Sequence, residues 1–259
     1  MKIRELAAVL EQWAPLPAAE SYDNPGLLAG EPEAEIRSVL VSLDVTEAVL
    51  DEAQQLGANL VIAHHPIWFT PRKRLTGEDY VSRILIRAIR QDISLYAIHT
   101  NLDNVRSGVN HRICERLGLE PEGFLRPAPG GELGAGMTGM LPAALPQAEF
   151  LQRVKAAFGC GGIRYAAGGP AQIRRVAVCG GAGSFLIPDA LRAGADAFVT
   201  ADITYHKFFD AEGRCLLLDI GHYESEQFTS QLICEFLSKH FRNFAVHLSG
   251  VRTNPVHYF

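Results

Sequence analysis

Two adjacent imidazoles, His64 and His65, stand where the apolar run Leu60-Val61-Ile62-Ala63 meets Pro66. The run reads as a short buried strand, and the proline ends it. Side chains alternate sides along extended chain, so the two histidines are expected to serve two metal ions, one each. Far downstream, Gly221-His222-Tyr223-Glu224-Ser225-Glu226 follows a second apolar run, Leu216-Leu217-Leu218-Asp219-Ile220. His222 and Glu226 are spaced i, i+4, so a helix beginning near His222 would project both from one face. Two further segments are of the same kind. His99-Thr100-Asn101-Leu102-Asp103 follows the run Ile93 to Ile98, and Asp202 and His206 follow Ala197-Phe198-Val199-Thr200. Imidazole and carboxylate together suit a borderline divalent cation.

Each of these residues has a plainer explanation when taken alone. A histidine at a strand end more often makes a structural hydrogen bond than a metal bond. Glu226 could be favoured by the helix dipole, Asp103 could cap a turn or helix, and Asp219 could be structural. Together, five or more nitrogen and oxygen donors past the carboxyl ends of strands point to a metal site, because ligands of open α/β sheets bind there. No cysteine belongs to the set, which disfavours a structural thiolate zinc site. So few donors leave positions open for water, as hydrolytic two-metal sites with ions about 3.5–4 Å apart require.

Other motifs carry less. Gly180-Gly181-Ala182-Gly183-Ser184 lies between a strand and a helix and could cradle a phosphate, although a tight turn explains it as well. No Gly-Lys-Ser/Thr follows, so it is not a Walker A loop. Ser184 lacks the G-x-S-x-G elbow of a serine hydrolase. Arg72-Lys73-Arg74 could meet an anionic substrate or could be a solvated loop.

The elements that must position these residues form two copies of one plan. Ser38 to Asp44, a helical stretch Glu47 to Leu56 and Gly57-Ala58-Asn59 lead into the strand ending at His64. Arg175 to Gly181, a helical stretch Phe185 to Arg192 and Gly194-Ala195-Asp196 lead into Ala197–Thr200. Val39 to Gly57 and Val176 to Gly194 have the same spacing (57 − 39 and 194 − 176). Each copy is strand, crossover helix, strand, which implies parallel neighbours with right-handed crossing. The expected fold is α/β: two similar lobes, each a mixed sheet with packed helices, with the metal site between them at strand carboxyl ends. Turn-rich Arg126 to Gly131 sets the expected boundary, giving an N-terminal lobe over 1–125 and a C-terminal lobe over 126–259. The segment 240–259 could belong to the first. Gly136 to Leu141 reads as an edge strand, Phe150 to Phe158 as a helix, Ile163 to Tyr165 as a short strand and Glu224 to Lys239 as one helix.

Composition bounds the function classes. With 259 residues, 47% hydrophobic and 20% charged, the chain can bury a sizeable core and is not disordered. A net charge of −5 argues against a nucleic-acid partner. Five cysteines, odd in number and without a C-x-x-C pair, suggest a reducing compartment. The first residues show no signal-peptide pattern, and no apolar run approaches the roughly 18 residues of a membrane span. The expectation is a cytoplasmic protein with no membrane partner.

His64-His65-Pro66, the His99 to Asp103 segment and Gly221-His222-x-x-x-Glu226 together resemble the Nif-three-like family. Its members are described as homologues of type 2 GTP cyclohydrolase I and as dinuclear metal-centre hexamers. Tyr22-Asp23-Asn24-Pro25-Gly26-Leu27, Thr200 to His206 and Thr253-Asn254-Pro255 extend the resemblance along the chain. Family members commonly have Trp where Tyr22 stands and often Asp where Asn254 stands. Some carry an inserted domain that this chain is too short to hold, so it resembles the short form. The resemblance implies that His64, His65, Asp103, His222 and Glu226 hold two divalent metal ions per chain, Zn, Fe or Mn. It places His99, Asp202 and His206 around them, with His99 or His206 as proton shuttle. It also implies a toroidal homohexamer and a metal-dependent hydrolase acting on a nucleotide such as GTP at C8 of the guanine ring. The competing expectation is a non-catalytic, metal-binding, ring-forming protein that regulates or scaffolds a partner.

Overall fold

The computed structural model describes all 259 residues. The strands in chain order are β1 (Gly26–Ala29), β2 (Ser38–Ser42), β3 (Leu60–Ala63), β4 (Ser94–Ala97), β5 (Glu120–Pro127), β6 (Gly134–Pro146), β7 (Arg164–Ala166), β8 (Gln172–Val178), β9 (Ala197–Thr200), β10 (Leu216–Asp219) and β11 (Ala245–Leu248). They form two mixed sheets, ordered β1-β4-β3-β2-β11 and β5-β6-β8-β9-β10-β7. The chain divides into two compact units, Met1–Leu102 with Thr229–Thr253, and Asp103–Phe228 with Asn254–Phe259.

The first sheet follows from the crossover plan. β2, β3 and β4 are buried throughout and made mostly of Val, Leu, Ile and Ala, with Ser38, Ser42, Ser94 and Tyr96 among them, as suits parallel strands covered on both faces. Thr46 starts the helix Glu47–Gln55 by accepting from the Val49 N–H at 3.2 Å, and Gly57 at φ +65° ends that segment. Asp79 caps the helix Tyr80–Arg90 on the Ser82 N–H at 2.9 Å. Val49, Leu50 and Ala53 of one helix and Ile84, Leu85 and Ala88 of the other pack on Leu40, Val61 and Leu95 of the sheet.

The second sheet repeats the plan in register. Val39 pairs Leu60 between β2 and β3, and Val176 pairs Ala197 between β8 and β9, the same offset of 21 residues (60 − 39 and 197 − 176). β4 continues the first set in parallel, and β10 the second. Each is flanked by a short antiparallel strand, β1 on β4 and β7 on β10. The equivalence expected for Val39 with Val176 and Gly57 with Gly194 therefore holds in the pairing, and both glycines sit at φ +65°.

Several local expectations need correction. Arg126 to Gly131 is not a linker but the end of β5 and the turn of the β5–β6 hairpin, closed by Ala128 N–H to Leu133 O at 2.8 Å. The units part instead at Leu102–Asp103, where the expected boundary lay at 125–126. β6 is no edge strand: it lies between β5 and β8. β11 pairs β2 in the first unit, which places much of 240–259 there. The expected helix from Glu224 to Lys239 is two helices, His222–Glu226 and Thr229–His240, belonging to different units. No helix is long and apolar enough to cross a membrane. The cysteines form no disulfide. Burial pushes the Cys114, Cys215 and Cys234 thiols up to about 12 and Cys160 to about 11, which keeps these four as neutral thiols at pH 7.

Candidate metal centre

In the first unit three imidazoles converge. The backbone of His64 and His65 extends the parallel ladder beyond β3, their N–H groups donating to Ser42 O at 3.3 Å and Leu43 O at 3.0 Å. His99 follows β4, the neighbouring strand. Ring centroids are 4.9 Å apart for His64 and His65, 5.1 Å for His64 and His99, and 5.4 Å for His65 and His99. One ligand atom from each of the three lies within 4.8 Å of the others. The expectation that adjacent histidines face opposite sides fails because β3 has ended and the chain is turning toward Pro66. His99 stands beside the other two rings, in a group of three that could hold an ion.

Each ring is held from behind. His64 Nδ1 lies 2.9 Å from the Ile98 carbonyl, His65 Nδ1 2.7 Å from Asp44 and His99 Nδ1 2.8 Å from Asp23. A carbonyl or an ionised carboxylate can only accept, so the proton sits on Nδ1 and the lone pair on Nε2. Burial alone would raise the Asp23 carboxyl. Bonds from His99, Thr100 and the Asn24 N–H outweigh that and hold it down to about 2. Asp44 is likewise lowered against burial by His65 and the Thr253 hydroxyl. Burial lowers His99, and the charges of His64 and His65 add to that against the pull of Asp23. His99 is therefore neutral at pH 7 and can accept a proton at Nε2.

In the second unit the helix His222–Glu226 begins directly after β10. Gly221 enters it at φ +91°, its N–H donating to Asp219 Oδ1 at 3.1 Å. Asp219 also accepts from the Ile203 N–H at 2.9 Å and pairs with Arg164, so its role is structural, as its place in an apolar strand allowed. His222 Nδ1 is 2.6 Å from Asp202, and Nε2 is 3.0 Å from the buried Glu226 carboxylate. Asp202 reaches the ring from a left-handed backbone at φ +54°, uncommon for a non-glycine residue and concentrated at functional positions. Burial pulls the His222 pKa down, but Glu226 and Asp202 together push it up to about 11. A lone pair on Nε2 and a carboxylate oxygen at 3.0 Å repel unless a cation lies between them. The field that holds a proton there would hold a divalent metal ion.

The glycine loop after β8 is built against this pair. Gly181 has φ +59°, and a Cβ on it would stand 2.4 Å from Glu226 Oε1 and 3.2 Å from His222 Cε1. Its N–H donates to Ser225 Oγ at 2.9 Å, Gly180 N–H to Asn110 at 3.0 Å and Gly183 N–H to Thr200 at 3.0 Å. These amides are committed within the fold, so the loop is the tight turn and not a phosphate cradle. Asp103 ends the short helix Thr100–Asp103, four residues after His99, with a buried carboxylate oxygen. His206 lies on the exposed 3₁₀ turn Tyr205–Ala211 against Tyr205 and Phe209 and joins no chelating group.

The donor set fits divalent metal. Four histidines each have Nδ1 fixed by an oxygen acceptor, the arrangement that fixes the tautomer and raises the basicity of a metal-ligating imidazole. The profile of the Duf34/NIF3 (NGG1p interacting factor 3) family matches residues 1–255. The chain belongs to the Duf34/NIF3 family. A GTP cyclohydrolase 1 type 2 homolog from Clostridium perfringens is 35% identical over 228 residues, 87% of each chain. One from Lactococcus lactis is 35% identical over 260 residues, 98% of each chain. The crystal structure of a Bacillus cereus protein related to NIF3 superposes with a TM-score of 0.93 at 26% identity, covering 100% of this chain and 99% of that one.

Within this Duf34/NIF3 chain, Asp202 was expected near the ions, but sequence reasoning missed the oxygen atoms behind His64, His65 and His99. Asp23 stood only in a resembling segment, and Asp44 in none. A signal for Asp44 existed: an acid past the end of β2, beside the histidine-bearing end of β3 in a parallel sheet. Asp23 also makes a pH prediction. Its folded pKa of about 2 lies below the ordinary 3.8, so it stabilises the fold above pH ~4 and that contribution is lost as pH falls toward 2. Asp23→Asn is expected to cost about 2 kcal/mol at pH 7 and to flatten the acid limb of stability, read by urea unfolding at several pH values. An unchanged acid limb would show that Asp23 is not held this way.

Proposed function

We propose that this Duf34/NIF3 protein is a metal-dependent hydrolase whose His64, His65, Asp103, His222 and Glu226 together hold two divalent cations. The observation that carries the reading is the repeated one: at His64, His65, His99 and His222 the Nδ1–H donates to an oxygen, which turns Nε2 toward a cation. Bound there, two such ions would supply Lewis acidity, lowering the pKa of water toward ~7 and offsetting charge in the transition state. The chain's own residues do the rest. Asp44 and Asp202 orient the rings of His65 and His222. Ser225 ties the glycine loop to the helix that carries Glu226. His99, neutral and backed by Asp23, is the proton acceptor, and the carboxylate behind it stabilises the imidazolium once the proton has moved. His206 lacks such a partner and is left out of this role.

The names of the relatives suggest a purine nucleotide as substrate, and the assembly that goes with the proposal is a homohexamer. The test is a hydrolysis screen over nucleoside triphosphates, using metal-loaded wild type beside Glu226→Gln and His99→Gln. Turnover that vanishes in both variants, with metal retained in His99→Gln, supports the reading. Full metal content with no turnover on any nucleotide, and a hexamer by sedimentation, would favour the non-catalytic ring-forming alternative.

A further inference from the structure

A cavity of about 320 Å³ in the second unit has no part in the metal chemistry described above. It is lined by Arg164, Tyr165, Ala166, Tyr205, Phe208 and Phe209. Its aromatic side chains are costly to expose: Tyr165 is 53%, Phe209 66% and Tyr205 71% accessible. Three exposed aromatic rings lining one cavity make it a candidate binding surface. The rings of Tyr205 and Phe209 meet edge to face with centroids 5.6 Å apart, and the Arg164 guanidinium lies over Phe208 at 5.5 Å. The cavity therefore offers flat faces in more than one orientation.

Its charges are already matched. Arg164 is paired with the buried Asp219 and donates to Ile203 O at 2.9 Å, and Lys207 is paired with Asp210 at 2.8 Å. The charge of Arg164 in the lining is thus compensated, whereas an uncharged planar ring would meet the aromatic side chains of Tyr165, Tyr205, Phe208 and Phe209. The volume is near the lower end of small-molecule pockets, ~300–1,000 Å³, which suits one ring system and not a peptide segment. The cavity is also wired to the metal-binding arm. Asp219, which holds Arg164 in the wall, holds the Gly221 N–H that starts the His222 helix, and Ile203, which accepts from Arg164, follows Asp202 in the chain.

We propose that this cavity is the ring-binding subsite of the metal centre and takes an uncharged planar heteroaromatic group of the substrate, stacked among Tyr165, Tyr205 and Phe209. The assignment rests on the hydrolase reading for its neighbour but not for its own ligand. The test is calorimetric titration of the full-length, metal-loaded protein with guanosine, GTP and inorganic triphosphate, for wild type, Tyr205→Ala and Phe209→Ala. Both side chains are exposed, so neither variant should unfold, and neither touches the metal donors. Each is expected to weaken guanosine and GTP about tenfold or more, the scale of one lost base–aromatic stack, and to leave triphosphate binding and metal content unchanged. Loss of guanosine affinity in the variants of a protein that holds no metal would still support the subsite while removing the hydrolase reading. Undetectable guanosine binding, affinity unaffected by both variants, or variants that change the assembly state instead would overturn it, the last because a second copy of the chain would then be the occupant.

Discussion

Glu226→Gln protein is expected to fold normally and to hold metal at least about 100-fold more weakly at one of its two positions. Removing an outer partner of a metal ligand typically costs 10–100-fold, and a direct ligand should exceed that. Glu226 is 2% exposed and stands 3.0 Å from His222 Nε2, so its charge acts in a medium of low polarity. Glutamine keeps the volume and removes the charge, leaving the cation with less compensation. A carboxylate also has two oxygens and can span two ions, which no imidazole can do at that distance. Glu226 is not a member of the hydrophobic cluster of the second unit that holds Ala177, Phe198, Leu217 and Ile187. Metal stoichiometry with circular dichroism reads both halves of the prediction. Two tightly held ions in folded Glu226→Gln would move the bridging role to another residue, Asp103 first.

Gly181→Ala is expected to damage the metal site as severely, and by a different route. A Cβ there meets Glu226 Oε1 at 2.4 Å, so the carboxylate must turn away from His222. Left-handed backbone adds a conformational cost of about 1 kcal/mol for a residue other than glycine. Gly194→Ala is the matched control, since Gly194 has φ +65° and nothing within 4 Å of its added Cβ. It should pay the conformational cost alone. Both variants should lower the urea midpoint, but only Gly181→Ala should also lose metal. Equal metal content in the two would show that the loop does not shape the site.

The two crossover units were legible in the sequence because their strands are continuous apolar runs and their helices are bounded by Thr46, Gly57 and Gly194. The pairing bears this out to the residue. The division of the chain was less legible. A turn rich in Pro and Gly looks the same whether it links domains or closes a hairpin, and only the partner strand distinguishes them, as for Arg126 to Gly131. The break after Glu226 was hidden because apolar spacing runs on through Phe228 and Leu232. At the site, the type and spacing of His64, His65, His222 and Glu226 pointed to metal. The place of His99 beside the other two rings depends on the lateral order of β3 and β4, which no local pattern encodes. Gly181 was read for its amides, whereas its missing side chain is what the site uses.

The central claim is that these imidazoles and carboxylates hold two divalent ions through Nε2 and carboxylate oxygen. Anomalous diffraction at the absorption edge of the bound metal, from protein purified without chelator, tests it most directly. The account predicts two peaks per chain, each about 2.0–2.2 Å from its donors, with His64, His65 and His222 contributing Nε2 while their Nδ1 atoms stay on Ile98, Asp44 and Asp202. Peaks bonded to Nδ1, peaks elsewhere on the chain, or no ordered ion in crystals grown with excess zinc or manganese would contradict it.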